Sequence, residues 1–244
     1  MGPQEAQGEP VVRSWQRRCA AAPDAPEAAA DAVFGWLREV DERFSPFKAD
    51  SEVSRLDRGE LDPHELTPDL VEVLDLCEVC RIATHGVFQV RLPGSGLDPC
   101  AMVKGWSVQR AADLLAARGP ANFCLNAGGH VVSAGGPWRV GVRHPEQADR
   151  LCTVLEITDG AVATSARYER GDHLVDGRTG RPATGLLSMT VVAPTLTGAD
   201  AAATAAFAMG TEGVEWAAAR EGCEVFAVDT EHRACRSPGL PVAA

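Results

Sequence analysis

The sequence predicts an α+β fold: a single compact domain with mixed or antiparallel sheets and surrounding helices. Three observations predict it. Apolar residues recur at helical spacing between residues 32 and 115. Short apolar or alternating runs separated by Gly and Pro fill the stretch from 122 to 192. An Ala-rich helical stretch then returns at 200–220. Helices and strands are interleaved irregularly, which disfavours a doubly wound βαβ sheet, and no repeat points to a solenoid.

Taken in order, residues 1–30 form an irregular lead-in, rich in Gly, Pro, Ala and Gln and without a period. Residues 31–235 are the folded domain and 236–244 a C-terminal tail. Ala32, Val33, Trp36, Leu37 and Val40 trace one face of an amphipathic helix. It stops before Phe44-Ser45-Pro46-Phe47, where Pro46 biases Ser45 away from helix. Ser51 and Ser54 bracket a short segment. Pro63 and Pro68 introduce a helix over 69–84, with Asp69 in its first turn. The turn at 93–96 leads into an apolar loop over 97–103, and Val108, Ala111, Ala112 and Leu115 mark a further helix. Strands are expected at 122–126, 130–132, 138–142, 151–157, 161–164, 173–175 and 187–192. Helix over 200–220 and a last strand over 223–228 complete the set.

Composition narrows the function. The chain has 244 residues, 45% hydrophobic and 23% charged, so it can bury a substantial core. Asp and Glu number 34 against 23 Lys and Arg, a net charge of -11 that repels phosphate backbones and disfavours nucleic-acid binding. Handling a phosphorylated small molecule would then need a local remedy: a metal ion, a buried Lys or a helix N-terminus. No run approaches the ~18–20 apolar residues of a membrane helix. The N-terminus lacks the apolar core of a secretory signal, so no membrane insertion and a cytoplasmic location are expected. There are 8 cysteines. Cys77-x-x-Cys80 sits within the helical apolar pattern of Leu70, Val73, Leu74 and Ile82, with no second CxxC, and reads as core-packing thiols.

Three polar clusters could carry chemistry. Asp98 and Lys104 lie six apart in a loop entering a helix, where Lys and free N–H groups can cradle an anion. A solvated Lys and an N-capping Asp are the alternative. In the run from Arg170 to Gly180, His173 lies at a strand edge beside a turn, placed for proton transfer or for bonding the turn's backbone. Asp200 and Thr204 share a helix face as i and i+4, surrounded by Ala. With a backbone carbonyl they would supply hard oxygen ligands for Mg²⁺, although Asp200 as an N-cap is also open.

In this order, the clusters resemble motifs of the ApbE-type FAD:protein FMN transferases. That family's Ser-x-Tyr-x-x-Asp-Ser-Glu-x-Ser-Arg segment is similar to the run from Ser45 through Phe47, Asp50, Ser51, Glu52 and Ser54 to Arg55. Gly86-Val87-Phe88 resembles its Gly-x-Phe segment, and Asp98 to Gly105 its Asp-x-x-Gly/Ala-x-x-Lys-Gly loop. Asn126 to His130 matches an Asn-x-Gly-Gly-Asp turn except at its end, His173 to Gly180 a His-x-x-Asp-Pro-x-Thr-Gly segment, and Ala199 to Thr204 an Ala-Asp-Ala-x-x-Thr segment.

The resemblance, covering about residues 31–230, implies a compact α+β fold with an FAD cleft between sub-lobes. It implies transfer of FMN from FAD, in the presence of Mg²⁺, to a Ser or Thr hydroxyl of an acceptor flavoprotein, with release of AMP. Carried over, Asp200, Thr204 and the carbonyl of Ala101 hold the metal. Phe47 stacks on the isoalloxazine; Gly86, Val87, Phe88, Asp98, Lys104 and Leu174 line the FAD site. His173 is the base that deprotonates the acceptor hydroxyl.

The chain departs from the pattern at several places. His130 replaces an acid expected near the cleft, Gly177 replaces a Pro and is expected to loosen its turn, Ala166 replaces a Gly, and Phe47 replaces a Tyr. The family's N-terminal strand is not recognisable before residue 30. Two alternatives therefore stay open: hydrolysis of FAD to FMN and AMP, and a family member that binds flavin or nucleotide without turnover or serves another acceptor.

Overall fold

The computed structural model describes residues 27–92, 95–118, 121–167 and 174–244. Helix α1 (Glu27–Phe44) buries Ala29, Val33, Leu37, Val40 and Phe44, the stripe that a 3.6-residue period requires. Helix α2 (Glu52–Asp57) is capped by Ser51, whose hydroxyl accepts from the Ser54 N–H at 3.0 Å. Helix α3 (Pro68–Ala83) begins on its Pro, and Asp69 in its first turn is paired with Arg43 of α1 at 2.5 Å.

Helix α4 (Cys100–Ala116) starts directly after Pro99. Residues 100–103, expected in a loop, are therefore its first turn. Met102, Val103 and Trp106 point into the core at i, i+1 and i+4, so the apolar run is a packed helical face. Lys104 consequently stands on a helix rather than in a loop.

The strands are β1 (Phe123–Ala127), β2 (His130–Ala134), β3 (Trp138–Arg143), β4 (Leu151–Ile157), β5 (Gly160–Ala166), β6 (Val175–Asp176), β7 (Arg181–Pro182) and β8 (Leu186–Ala193). Helices α5 (Leu196–Met209) and α6 (Thr211–Ala218) follow, then β9 (Glu224–Asp229) and β10 (Ala234–Arg236). One sheet runs β1-β2-β5-β8-β9-β10 with every neighbouring pair antiparallel. The hairpins β3-β4 and β6-β7 stand apart from it.

Three details differ from the sequence-based reading. The helix expected over 200–220 is broken at Gly210, whose φ of 73° favours glycine and where a Cβ would meet the Thr184 carbonyl oxygen at 2.6 Å. The strand expected to open at His173 begins at Val175, and His173 itself lies outside the described residues. The strand at 224–229 is followed by β10, three exposed residues whose composition carries no apolar alternation.

One face of the sheet packs on α1, α4 and α5 through Leu125, Met189, Val191, Ala203 and Phe207. The β3-β4 hairpin covers the other face, where Val142, Leu155 and Ile157 meet Val162 and Phe226. The last residues lie against this hairpin: the Glu156 N–H donates to the Pro241 carbonyl at 2.8 Å, and Leu240 is buried. A second core gathers Phe44, Val53, Leu70, Val73 and Cys77 around Trp106, with Cys80 packed at its edge. Helix α5 serves both cores, and from Ala199 to Met209 none of its residues is exposed. Among the described residues no helix is long and apolar enough to cross a membrane.

Candidate active-site cleft

A cleft of about 700 Å³ opens where the two cores meet. Its walls come from the end of α1, the 45–47 loop, α2, residues within 87–92 and 95–98, the start of α4, the end of β5 and one face of α5. Nine of the residues singled out in the sequence line it: Phe47, Val87, Phe88, Asp98, Ala101, Lys104, Leu174, Asp200 and Thr204. Gly86 does not line it. It occupies the preceding turn with a φ of 85°.

Phe47 stands on the lip, 74% exposed. Its loop is braced from several sides. The Ser54 hydroxyl donates to the Pro46 carbonyl at 3.4 Å, and the Ser45 hydroxyl accepts from the Phe47 N–H at 3.3 Å. Lys48 bridges Asp41 and Glu42 at 2.6 Å each. A bare aromatic ring on a braced loop is a surface that a flat ring ligand can cover.

The cleft also has polar lining. Asp98 is exposed and its carboxylate accepts from the Cys100 N–H at 2.9 Å, so it does bind the first turn of α4 while facing the cleft. Asp200 is not the cap of its helix: Thr195 is, its hydroxyl accepting from the Gly198 N–H at 3.2 Å. Asp200 instead lies in the second turn, 2% exposed. Its Oδ1 is 2.8 Å from His130 Nε2 at the start of β2, and its Oδ2 is buried with no hydrogen-bond partner. Burial alone would raise the Asp200 carboxyl pKa; His130, then Lys104 and, least, the nearby Gly105 backbone N–H more than offset it, and the pKa is lowered. A carboxylate has no proton to give, so His130 donates.

His130 thus occupies the place of the expected acid, and it sits 1% exposed in direct contact with Asp200. The turn before it closes with the Asn126 side chain accepting from the Gly129 N–H at 3.0 Å. Two residues that stand in the motifs but were given no role of their own also lie beside Asp200 and Thr204. Ser165 puts its hydroxyl 3.3 Å from that of Thr204. Gly105 lets α4 and α5 touch: a Cβ on it would lie 3.0 Å from Asp200 Oδ2. A glycine inside a helix pattern is a recognisable signal of close approach, whereas Ser165 stands only as the residue before Ala166 and nothing local gives its hydroxyl a role.

The second expected departure is corrected by the structure. Gly177 does not loosen its turn. Its N–H donates to the Val87 carbonyl at 2.9 Å, a bond that a Pro would lack, and a Cβ there would meet Gln89 Cγ at 2.2 Å. Leu174 is held to the same segment by the Ala183 N–H, which donates to its carbonyl at 2.8 Å.

The oxygens here fit a hard divalent cation. Asp200 Oδ2 is an unpartnered buried acceptor, Thr204 offers a hydroxyl one turn on, and Ala101 is one turn before Gly105 on the facing helix.

Known proteins give a consistent picture. The model of the ApbE family matches residues 12–94 and 89–227. An FAD:protein FMN transferase of Salmonella typhimurium is 30% identical over 169 residues, 63% of this chain and 48% of that protein. One of Escherichia coli K12 is 30% identical over 158 residues, 59% of this chain and 45% of that protein. The chain therefore matches about half the length of these curated relatives. Among solved structures, the flavin transferase ApbE from Vibrio cholerae superposes with a TM-score of 0.76 at 21% identity, over 91% of this chain and 97% of that one. The ApbE protein from Thermotoga maritima does so at 0.79 and 22%, over 91% and 93%.

Proposed function

The chain belongs to the ApbE family, and from that premise we propose that it transfers the FMN moiety of FAD to a Ser or Thr hydroxyl of an acceptor flavoprotein, releasing AMP. The names of the curated relatives, FAD:protein FMN transferase, support the reaction class. The observation that carries the reading is the unpartnered, buried Asp200 Oδ2 with Thr204 in a cleft that also presents a bare Phe47. An exposed aromatic ring and a set of carboxylate, hydroxyl and ammonium groups lining one cleft match a flavin joined to a diphosphate.

In this proposal Phe47 covers the isoalloxazine, and Val87, Phe88 and Leu174 enclose it. Lys104 and the first turn of α4 face the diphosphate, where positive charge and N–H groups stabilise negative oxygens. Asp200 Oδ2, the Thr204 hydroxyl and the Ala101 carbonyl would hold Mg²⁺, which when bound withdraws charge from the phosphoryl group under attack. His173, next in sequence to Leu174, takes the proton of the acceptor hydroxyl. The hydroxyl oxygen forms a bond to the flavin-side phosphorus, the bridging P–O bond breaks, and AMP departs.

Incubation with FAD, Mg²⁺ and a Ser/Thr-containing acceptor should give a covalent fluorescent label on the acceptor. Asp200→Asn should reduce the rate by a factor on the order of 10² or more. Release of FMN and AMP with no label on any acceptor would replace this reading with hydrolysis.

A further inference from the structure

We propose that His130 is a specificity-determining residue: by occupying one oxygen of Asp200 it makes that carboxylate a one-oxygen ligand, selecting a small octahedral cation of the Mg²⁺ class over Ca²⁺. The inference rests on the cation reading of the site given above and concerns which cation is accepted.

The two oxygens of Asp200 have different surroundings. Oδ1 is engaged by His130 Nε2 at 2.8 Å, and both side chains are almost completely buried, at 1% and 2% exposure. Oδ2 is buried and unpartnered. The two are inequivalent before any ligand arrives. With both side chains this deeply buried, giving up that bond would leave a buried polar pair unsatisfied.

Nor can the carboxylate rotate freely to offer both oxygens. Asp200 is pressed against α4, where a Cβ on Gly105 would come within 2.6 Å of Asp200 Cβ and 2.8 Å of the Leu196 carbonyl oxygen. His130 is fixed as the first residue of β2, paired with Ala127 across the turn. The imidazole and the carboxylate are therefore held by the sheet and by a two-helix contact.

This asymmetry matters because cations differ in what they ask of a carboxylate. Ca²⁺ takes about 6–8 oxygens and readily uses both carboxylate oxygens, whereas Mg²⁺ keeps six near-octahedral ligands and takes one. A site with a single free carboxylate oxygen, one hydroxyl and one carbonyl suits the second. An acid in place of His130 would present carboxylate oxygen instead of an N–H donor and would not impose the restriction.

The test is binding of Mn²⁺ to the full chain, read by electron paramagnetic resonance, with Mg²⁺ and Ca²⁺ as competitors. For the unaltered protein, Mg²⁺ should displace Mn²⁺ at roughly tenfold lower concentration than Ca²⁺. His130→Asn keeps an N–H donor and should hold that ratio within about threefold. His130→Leu should weaken Mn²⁺ binding by about 10–100-fold. It should also move the Mg²⁺/Ca²⁺ ratio roughly fivefold or more toward Ca²⁺. An unchanged ratio in folded His130→Leu overturns the inference and leaves the cation site standing. Absence of Mn²⁺ binding to the unaltered protein overturns both. Should His130→Leu not fold, ¹⁵N-histidine NMR of the unaltered protein decides: the His130 Nε2–H signal should persist at saturating Mg²⁺, and its loss overturns the proposal.

Discussion

Gly105 and Asp200, on facing helices, approach so closely that a Cβ on the glycine would lie 2.6 Å from the Cβ of the aspartate. Real side-chain carbons do not come so near, so α4 and α5 can adopt this spacing only with hydrogen at position 105. The same contact aims the Asp200 carboxylate toward the turn of α4 that begins at Ala101.

Gly105→Ala should therefore push the two helices apart. Overpacking of this kind destabilises by about 1–3 kcal/mol, which a urea titration would measure. Flavin transfer should fall further than stability does, because Asp200 moves away from Ala101. A variant with full activity would show that the spacing is incidental.

Phe47→Ala separates binding from folding. The ring is 74% exposed, so the melting temperature should barely move, with a change within about 0.5 kcal/mol. Loss of a stacked ring should weaken FAD binding by about 0.5–1.5 kcal/mol, seen in a flavin fluorescence titration. Unaltered affinity would remove Phe47 from the flavin site.

Gly177→Pro introduces the residue that the family pattern carries, and here it should be harmful. It deletes the N–H donated to Val87 and places carbon 2.2 Å from Gln89 Cγ. A loss of about 1–3 kcal/mol is expected. Equal stability of the variant in urea would mean that the 86–89 segment is free to yield.

Burial pushes the Cys77 thiol up to about 12, with Cys80 adding to it, and the Cys80 thiol up to about 11. The folded protein thus keeps protons that the unfolded chain releases near its ordinary value of 9.0. Stability from these thiols is complete below that value and is lost as pH climbs from there toward 11–12. Removing Cys77 should flatten the alkaline loss of stability by about 1.4 kcal/mol per pH unit. A disulfide reagent at pH 8 should label the exposed Cys235 well before the buried Cys77. Prompt native-state labelling of Cys77 would contradict its burial.

Much of the fold was legible because periodicity reports burial. The stripe Val33, Leu37, Val40 packs along one helix face, and the continuous apolar run at 187–192 is a central strand buried on both faces. The start of α4 was not, because the spacing of 97–103 fits a loop or a helix until Trp106 finds its place between Trp36 and Phe44. The i, i+4 pair Asp200 and Thr204 was visible in the helix, and it lines one cleft with Ala101 and Lys104. The partner of Asp200 was not visible. His130 is 70 residues away, and its meaning depends on a sheet register that only the folded chain defines.

Helix α5 has neighbours on every side, and this decides where the molecule can vary. Its run of methyl groups leaves no room for larger side chains, so drift in sequence along it is closed off whichever core is considered. The exposed positions at the rim, Phe47 and the residues from Arg178 to Pro182, have no such constraint from packing. Descendants of this chain can acquire new tastes in what they recognise at the rim, while the innermost oxygens stay where the alanines keep them.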